Sequence, residues 1–283
     1  MEQIFNNLKN DQTIIIISRK NIPGKIDLGR FKYLIRLDCS NNNITNLTNI
    51  NKCCYLTHLD CSLNSITNLD DLPSNLKFLY CSSNPIKQLD NLPNGLRFLF
   101  CSKCVISNLD NLPNFLQKLN CSNNLIKNVD NLPTRIVDLD ISYNPISNLD
   151  YLPNSIKILN CSFCQIENFD NIPNSVEEID LRNIRFLKYY SLQIYMDNLP
   201  KNLNKIIFEP IFNYYSEIST DSIPIKNIDL NKWRIKRNKN ENKYYLQNNS
   251  IIDVITFSPT IYDSELDSNC NRNCNCRYCG YYL

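Results

Sequence analysis

The stretch "LPNGLRFLFCSKCVISNLDN", residues 92–111, is followed directly by "LPNFLQKLNCSNNLIKNVDN", residues 112–131. Both stretches begin with Leu-Pro and carry Cys-Ser at the same offset, and the same spacing of 20 residues recurs on either side of them. The aliphatic-Pro pairs begin at Leu72, Leu92, Leu112, Leu132, Leu152 and Ile172. Self-similarity at a fixed period is the signature of a repeat architecture, so the period decides the fold prediction.

Within each unit the apolar residues alternate over a short run. Leu79 and Cys81 are separated by one residue, so both are predicted to face inward from a strand. One unit cannot bury its apolar face alone, whereas stacked units can, with their strands forming a parallel sheet on one side. A period of 20 residues leaves little room for a helix on the return side. Pro73 and its equivalents lack an N–H and are expected to keep that side extended.

The consensus L-x-x-L-x-C-S-x-N-x-I-x-x-L-D-N-L-P resembles the leucine-rich repeat over roughly Phe31 to Phe208. The short period and the Leu-Pro linker are most similar to the bacterial-type subclass found in secreted effectors. The Asn- and Ile-rich composition of the repeats is similar to that of repeat proteins of giant amoeba viruses. The resemblance implies an α/β-type solenoid that is mostly β. In such an arc the parallel strands line the concave face, and extended or 3-10 segments line the convex face.

Four regions are predicted along the chain: an N-terminal cap, 1–30; the repeat array, 31–208; an irregular or hairpin region, 209–268; and a Cys-rich tail, 269–283. The predicted units lie near 31–52, 53–73, 74–93, 94–113, 114–133, 134–153, 154–173 and 174–198, with a last strand in 199–208. In the cap, Ile4, Phe5 and Leu8 are expected to form an apolar helical stripe, followed by a first strand in "TIIIIS". The segment "KWRIKRNKNENKYYL" is predicted to form a hairpin around Asn238 to Asn242.

A cysteine occupies the third inward position in most units. Ile141 and Leu181 take the same position, which favours packing as a small apolar side chain, with redox or metal chemistry as the alternative. The N-terminus has no signal-peptide pattern, and the longest aliphatic run, Ile14 to Ile17, is too short to span a membrane. We therefore expect an intracellular location, the host cytoplasm for a viral protein, where the thiols stay reduced.

Two polar columns follow the same period. The first is predicted to be a structural ladder that bonds the backbone of adjacent coils, with Cys in two of its positions. Its members are Asn42, Asn64, Asn84, Cys104, Asn124, Asn144 and Cys164. The second column contains Asp70, Asp90, Asp110, Asp130, Asp150 and Asp170. For these carboxylates we expect turn capping, and a column of bound cations is the alternative.

The outward strand positions are the predicted partner-binding surface, since the resemblance implies a protein-binding concave face. The candidate residues are Phe78, Tyr80, Phe98, Phe100, His58, Asp60, Asp138 and Asp140. The four aromatic residues form a square on adjacent strands. Contiguous apolar surface indicates an interaction site, whereas cross-strand stacking that reinforces the sheet explains the same square without a partner. Both interpretations remain open at this point.

The C-terminal region carries two further patterns. A basic strip beside Trp233, Tyr244 and Tyr245 is compatible with nucleic acid or an acidic partner, or with a solvated hairpin. The tail holds Cys270, Cys274, Cys276 and Cys279 within ten residues. That spacing is cramped for one zinc ion, so the alternatives are a metal site and a flexible thiol-rich tail.

The composition contains no pattern of a catalytic site. His58 is the single histidine, and it lies near Asp60 without a placed nucleophile; no Gly-rich phosphate loop is present. The net charge of +2 favours neither nucleic acid nor anionic membranes. We therefore predict a non-enzymatic protein-interaction scaffold without a cofactor. The alternatives are a virus- or pathogen-encoded effector that recruits host machinery through the C-terminal region, and a metal- or nucleic-acid-binding protein that uses the basic, Cys-rich C-terminus.

Overall fold

The computed structural model describes residues 8–167, 169–184 and 200–207, together with the backbone of 233–238 and 243–248. Short strands dominate it, one from each coil of the repeat. In chain order the strands are β1 Ile14–Ile16, β2 Pro23–Asp27, β3 Arg36–Asp38, β4 Asn43–Thr48, β5 His58–Asp60, β6 Phe78–Tyr80, β7 Phe98–Phe100, β8 Lys118–Asn120, β9 Asp138–Asp140, β10 Ile158–Asn160, β11 Glu178–Asp180, β12 Lys205–Ile207, β13 Trp233–Asn238 and β14 Lys243–Asn248.

Ten of these strands form one sheet in the order β1-β3-β5-β6-β7-β8-β9-β10-β11-β12. Every neighbouring pair in it is parallel, and the middle residues face one another, as Leu79 does with Leu59 and Leu99. The predicted parallel-strand solenoid is therefore confirmed. Because the register follows the repeat, two residues 20 positions apart lie side by side on adjacent strands throughout the regular coils.

The core is a set of apolar columns that run through the stack. In the regular coils the aliphatic residue in the middle of the strand and the Cys, Ile or Leu two residues later are buried. The isoleucine that follows the Asn or Cys slot, as at Ile86 and Ile106, closes the core from the other side. Full burial of such a side chain contributes roughly 1.5–3 kcal/mol. The inward side chains of each strand thus pack against those of the strands in the adjacent coils.

The cysteines of this region pack as apolar side chains. All ten cysteines among the described residues are free thiols, and Cys54 is the exposed member of that set. Burial raises the pKa of the Cys101 and Cys121 thiols well above its ordinary value. A neutral buried thiol is a poor nucleophile and a poor metal ligand. The described residues contain no group of three or more His, Cys, Asp or Glu side chains placed to hold a metal ion.

The return side contains no α-helix within the described residues, as predicted. Near the N-terminus it holds a second parallel pair, β2 with β4, and a 3-10 helix, Ile50–Lys52. In the later coils each Pro begins a turn, because the Pro73 carbonyl accepts a hydrogen bond from the Leu76 N–H at 3.1 Å. Each Pro therefore also begins a turn, and the return side otherwise lacks helix among the described residues of these coils, as expected of extended segments. Among the described residues there is no helix of the length and apolarity that crossing a membrane requires.

The Asn column joins neighbouring coils through buried amides. Asn124 Nδ2 donates to the carbonyls of Cys101 and Cys121 at 3.0 and 2.9 Å, and its Oδ1 accepts from the Ile106 N–H at 3.0 Å. Asn42, Asn64, Asn84 and Asn144 repeat this arrangement. One side chain therefore satisfies backbone groups of two coils at the bend where the strand ends.

Cysteine takes over this slot in two coils. Cys104 Sγ lies 3.6 Å from the Cys81 carbonyl, and Cys164 Sγ lies 3.3 Å from the Ile141 carbonyl. Burial raises the pKa of Cys164 to about 11, so its thiol keeps the proton that it donates. The thiol makes a weaker version of the bond that the Asn amide makes in the other coils.

The two ends of the array differ from the regular coils. At the N-terminus β1 pairs with β3, and Leu8 packs against the core, whereas Ile4 and Phe5 of the predicted cap helix lie outside the described residues. At the C-terminus Leu203 and Ile206 are buried and β12 adds a last strand. Phe208 and the four tail cysteines lie outside the described residues. Strands β13 and β14 are antiparallel, in the region where a hairpin is predicted.

The first prediction tests the Cys column. Cys101→Val and Cys121→Val should each cost less than about 1.5 kcal/mol in the free energy of unfolding, because volume and polarity change little. Denaturant midpoints measure the effect, with Leu99→Ala in the same core as the control, expected to cost about 2–5 kcal/mol. A loss of several kcal/mol for a Cys→Val variant would contradict the packing role.

The second prediction tests the Asn ladder. Asn124→Ala leaves the buried Ile106 N–H without its acceptor, which should cost about 1–3 kcal/mol in unfolding free energy. Asn124→Cys, which reproduces the side chain of Cys104 in the preceding coil, should recover part of that loss. Equal destabilisation by the two substitutions would show that the hydrogen bonds in this slot contribute little.

Candidate functional site

The outward side chains of β3 and of β5 to β11 form one continuous surface, which we call the strand face. Each strand contributes the residue before and the residue after its buried middle position, so the face consists of two rows. The sheet register places all eight residues predicted to bind a partner on this face. Seven of them, including His58 and Asp140, are half-buried, and Tyr80 is 37% exposed.

Five rings at the centre of the strand face stack into two columns, and we call them the aromatic cluster: His58, Phe78, Phe98, Tyr80 and Phe100. In the first column the ring centroids of His58 and Phe78 are 4.1 Å apart, and those of Phe78 and Phe98 are 4.6 Å apart. In the second column Tyr80 and Phe100 are 4.6 Å apart with planes 5° from parallel. Parallel strands lie about 4.8 Å apart, so the sheet spacing itself imposes this face-to-face arrangement.

The stacking explains why these rings are only half-exposed. Phe78 has a ring on each face, and each of the other four rings has one face covered by a ring, so the uncovered edges make an apolar surface. Cross-strand aromatic pairs contribute about 0.2–1 kcal/mol each to a sheet. The cluster therefore reinforces the sheet and leaves an apolar strip exposed; the two interpretations of the sequence are compatible.

His58 belongs to the aromatic cluster because its imidazole ring stacks on the Phe78 ring. Its Nδ1 lies 2.8 Å from the Thr57 hydroxyl, and its ring plane is 10° from that of Phe78. Burial, followed by the positive charge of Arg36, lowers the pKa of His58. The imidazole is therefore neutral at pH 7 and works as a flat apolar ring with a polar edge.

Ion pairs occupy the face on the C-terminal side of the cluster. Asp138, one of the predicted partner-binding residues, forms a salt bridge with Lys118. Lys118 Nζ also lies 5.9 Å from the centre of the Phe100 ring, which closes that end of the second column with a positive charge. Asp140 instead accepts hydrogen bonds from neutral groups, including the Asn120 amide at 3.2 Å.

The Ser column alongside the strands changes its bonding at the cluster. In four other coils, at Ser40, Ser122, Ser142 and Ser162, the Ser hydroxyl donates to the side chain two residues earlier, as Ser142 does to Asp140 at 2.7 Å. Tyr80 and Phe100 offer no such acceptor. Ser102 Oγ therefore donates to Ser82 Oγ at 3.0 Å. The centre of the face thus combines aromatic edges with a pair of half-buried hydroxyls.

A second aromatic pair, which is not among the residues predicted from the sequence, lies at the edge where the chain leaves the sheet. The rings of Tyr143 and Phe163 are 4.1 Å apart, with planes 10° from parallel. Both residues have left-handed backbone conformations, with φ of 55° and 58°. Their shared position directly before the Asn slot, 20 residues apart, is the sequence signal that could have revealed them.

Every coil repeats this left-handed conformation at the same position. The residues concerned are Asn41, Leu63, Ser83, Lys103, Asn123, Tyr143, Phe163 and Asn183, with φ between 52° and 58°. Asn accepts a positive φ at little cost, whereas residues with larger side chains lose roughly 1–2 kcal/mol there. Leu63, Tyr143 and Phe163 are thus kept at positions that strain their backbone.

The Asp column lies away from the strand face, and its bonding differs from the turn capping expected from the sequence. Asp90 Oδ1 accepts a hydrogen bond from the Asn111 amide of the next coil at 3.2 Å, and Asp70 does the same with Asn91 at 3.5 Å. The Asn residues interleave with the carboxylates. This lateral bonding offsets repulsion along the column.

Comparison with solved structures identifies the same fold in other proteins. YopM from Yersinia enterocolitica WA-314 is 26% identical with a TM-score of 0.53, covering 66% of this chain and 44% of that one. The functional domain of InlJ from Listeria monocytogenes, described as including a cysteine ladder, is 24% identical with a TM-score of 0.50, covering 69% and 48%. TLR13, solved in complex with ssRNA13, is 19% identical with a TM-score of 0.57, covering 70% and 32%.

This chain thus spans between 32% and 48% of the length of these three proteins. Comparison with protein-family models and with curated proteins finds no match. The structural likeness, together with the parallel-strand solenoid, shows the leucine-rich repeat fold.

A third prediction follows from the left-handed column. Leu63→Asn should raise the free energy of unfolding by about 1 kcal/mol, because Asn tolerates the φ of 55° that strains a leucine. The matched control is Leu125→Asn: the two leucines are similarly exposed, at 53% and 55%, but Leu125 has no positive φ. Thermal and denaturant unfolding measure both variants. A gain from Leu125→Asn as large as that from Leu63→Asn would rule out backbone strain as the cause.

Proposed function

We propose that this leucine-rich repeat protein is an interaction scaffold that binds a protein partner on its strand face, with the aromatic cluster as the centre of the contact. The observation that carries the proposal is the position of the cluster. Strands β6 and β7 present aromatic residues at both outward positions, Phe78 with Tyr80 and Phe98 with Phe100. Aromatic residues are enriched among those that dominate binding energy at interfaces.

The rigidity of the cluster supports a binding role. The rings are held by stacking and by the hydrogen-bonded strands beneath them, so a partner would meet a surface already in its bound shape. Ordering side chains on binding costs about 0.5–1.5 kcal/mol for each flexible residue. A preordered apolar strip avoids most of that cost, which favours the strand face over the irregular return side as the contact surface.

The comparisons support macromolecular binding in a general way. TLR13 was solved with an RNA ligand, and it shares only the fold with this chain. A shared fold does not transfer a ligand, so the choice of a protein partner here rests on the residues of the strand face.

The proposal assigns no catalytic step to the chain. His58, the single histidine, is stacked on Phe78, and the buried thiols have raised pKa values. An intracellular location is a further part of the proposal. The ten free cysteines of the described residues support it, because a core rich in thiols suits a reducing compartment.

The fourth prediction tests the binding surface. The double substitution Phe98→Ala, Phe100→Ala should abolish partner capture from a lysate of the native cell, because anchor aromatics contribute about 2 kcal/mol or more each to binding. Its stability cost should be smaller, about 0.2–1 kcal/mol for each lost cross-strand pair. Captured proteins identified by mass spectrometry, together with thermal unfolding of the variant, provide the measurements.

The matched control is Tyr143→Ala, Phe163→Ala, which removes the other stacked aromatic pair from the edge of the solenoid. Capture should survive that substitution. Undiminished capture by the Phe98→Ala, Phe100→Ala variant, or equal loss in both variants, would refute the assignment of the strand face as the binding surface.

A further inference from the structure

We propose that the partner segment on the strand face is a peptide with a positive charge at each end and an apolar centre. This inference rests on the proposed function and specifies the chemistry of its partner. It follows from acidic side chains on both sides of the aromatic cluster, from the absence of ion pairs to them among the described residues, and from their separation across the sheet.

Two fixed carboxylates lie on the N-terminal side of the cluster and one on the C-terminal side. Asp38, Asp60 and Asp140 occupy the same row as Tyr80 and Phe100. In each of the three, Oδ1 accepts the backbone N–H of the Ser two residues later at 3.0 Å. These bonds hold the carboxylates in place, so a cationic group that pairs with them does not have to order them first.

The other acids of the face already have cationic partners. Asp138 pairs with Lys118, Glu178 with Lys205, and Asp180 with Arg182. Asp38, Asp60 and Asp140 form no ion pair within the part of the chain that the structure describes. Arg36, on the same strand as Asp38, is the basic residue at that end of the face.

The face is thus locally acidic on a chain whose net charge is +2. Complementary charge directs association and excludes partners of the same sign. A phosphate backbone that approaches the aromatic cluster would meet the carboxylates on both sides. Charge therefore selects a cationic polypeptide and opposes single-stranded nucleic acid, although aromatic edges alone would tolerate either.

The separation of the acids sets the length of the segment. Asp60 and Asp140 lie on strands β5 and β9, four strand spacings apart, which corresponds to roughly 19 Å. An extended peptide advances about 3.3 Å per residue, so about six residues reach from one carboxylate to the other. The residues between the two basic ends then pass over the aromatic cluster.

The Tyr80 ring provides a second contact for the cation at the N-terminal end. One face of this ring stacks on Phe100, and the register places Asp60 beside Tyr80 on the neighbouring strand. An ammonium or guanidinium group between Asp60 and Tyr80 would contact both a carboxylate and a ring. At the opposite end of the same column, Lys118 already lies 5.9 Å from the Phe100 ring centre.

The test uses a fluorescent eight-residue peptide with two lysines at each end and four aliphatic residues between them. Its counterpart has glutamates in place of the lysines. By anisotropy at low ionic strength, the lysine peptide should bind the full chain at least about ten-fold more tightly than the glutamate peptide. Its affinity should fall as salt is added, because screening weakens exposed charge pairs. Equal affinities, or absence of binding by the lysine peptide, would overturn the inference, as would tighter binding of a single-stranded RNA oligonucleotide.

Site-directed variants then locate the contact. Asp60→Asn, Asp140→Asn should weaken the lysine peptide about five-fold, in line with two exposed ion pairs. The substitution preserves the local fold, because Asn120 and Asn160 occupy the same row and accept the same backbone hydrogen bond at 3.1 Å. The control Asp90→Asn, Asp110→Asn removes the same charge from the Asp column and should leave the affinity unchanged. An equal effect of both pairs would show that only net charge matters and would overturn the inference.

The outcome also separates this inference from the proposed function. If the Asp60→Asn, Asp140→Asn variant keeps full affinity while Phe98→Ala, Phe100→Ala loses partner capture, the strand face remains the binding surface and the cationic partner is wrong. If the Phe98→Ala, Phe100→Ala variant captures as well as the native chain, the proposed function itself fails.

Discussion

The rest of the structure depends on one constraint: no coil can bury its apolar residues except against the coil before and the coil after it. The strand supplies that contact, with leucines such as Leu79 and Leu99 facing one another in register at full burial. Because the pairing is parallel and repeats every 20 residues in the regular coils, each side chain has its own equivalent as a neighbour. Every outward residue therefore lies beside a residue of the same column, whether their interaction is favourable or unfavourable.

The effect of placing equivalent residues side by side differs from column to column. Buried Asn amides are stabilised by it, since each one bonds backbone groups of two coils. Thiols such as Cys101 tolerate it as small apolar groups. Carboxylates would repel one another, and Asn111, which donates to Asp90, places an amide beside the charges. Aromatic rings gain most directly, since the strand spacing equals a stacking distance and turns Phe78 and Phe98 into a pair.

The proposed binding surface lies where the residue types of a column change from coil to coil. The buried core repeats almost unchanged along the array, as packing requires. The strand face does not: it passes from acidic residues, through the aromatic cluster, to an ion-paired region. Those changes leave the sheet register intact, so they alter what the surface can bind without disturbing what holds it together. In a solenoid, such freedom at outward positions allows a repetitive scaffold to carry a specific site.

The sequence by itself determined the period, the parallel stack, the buried leucine and cysteine columns and the rows to which the outward residues belong. All of these follow from spacing, which is a local property of the chain. Tertiary structure alone decided how outward side chains meet. It stacked His58 onto Phe78 and paired Asp138 with Lys118, whereas Asp60 and Asp140 form no ion pair with any residue that the structure describes. It also set a left-handed backbone at Tyr143, where the residue type predicts otherwise. The reason is physical: spacing fixes which residues are neighbours, whereas ring overlap, charge pairing and backbone strain depend on the three-dimensional contacts between them.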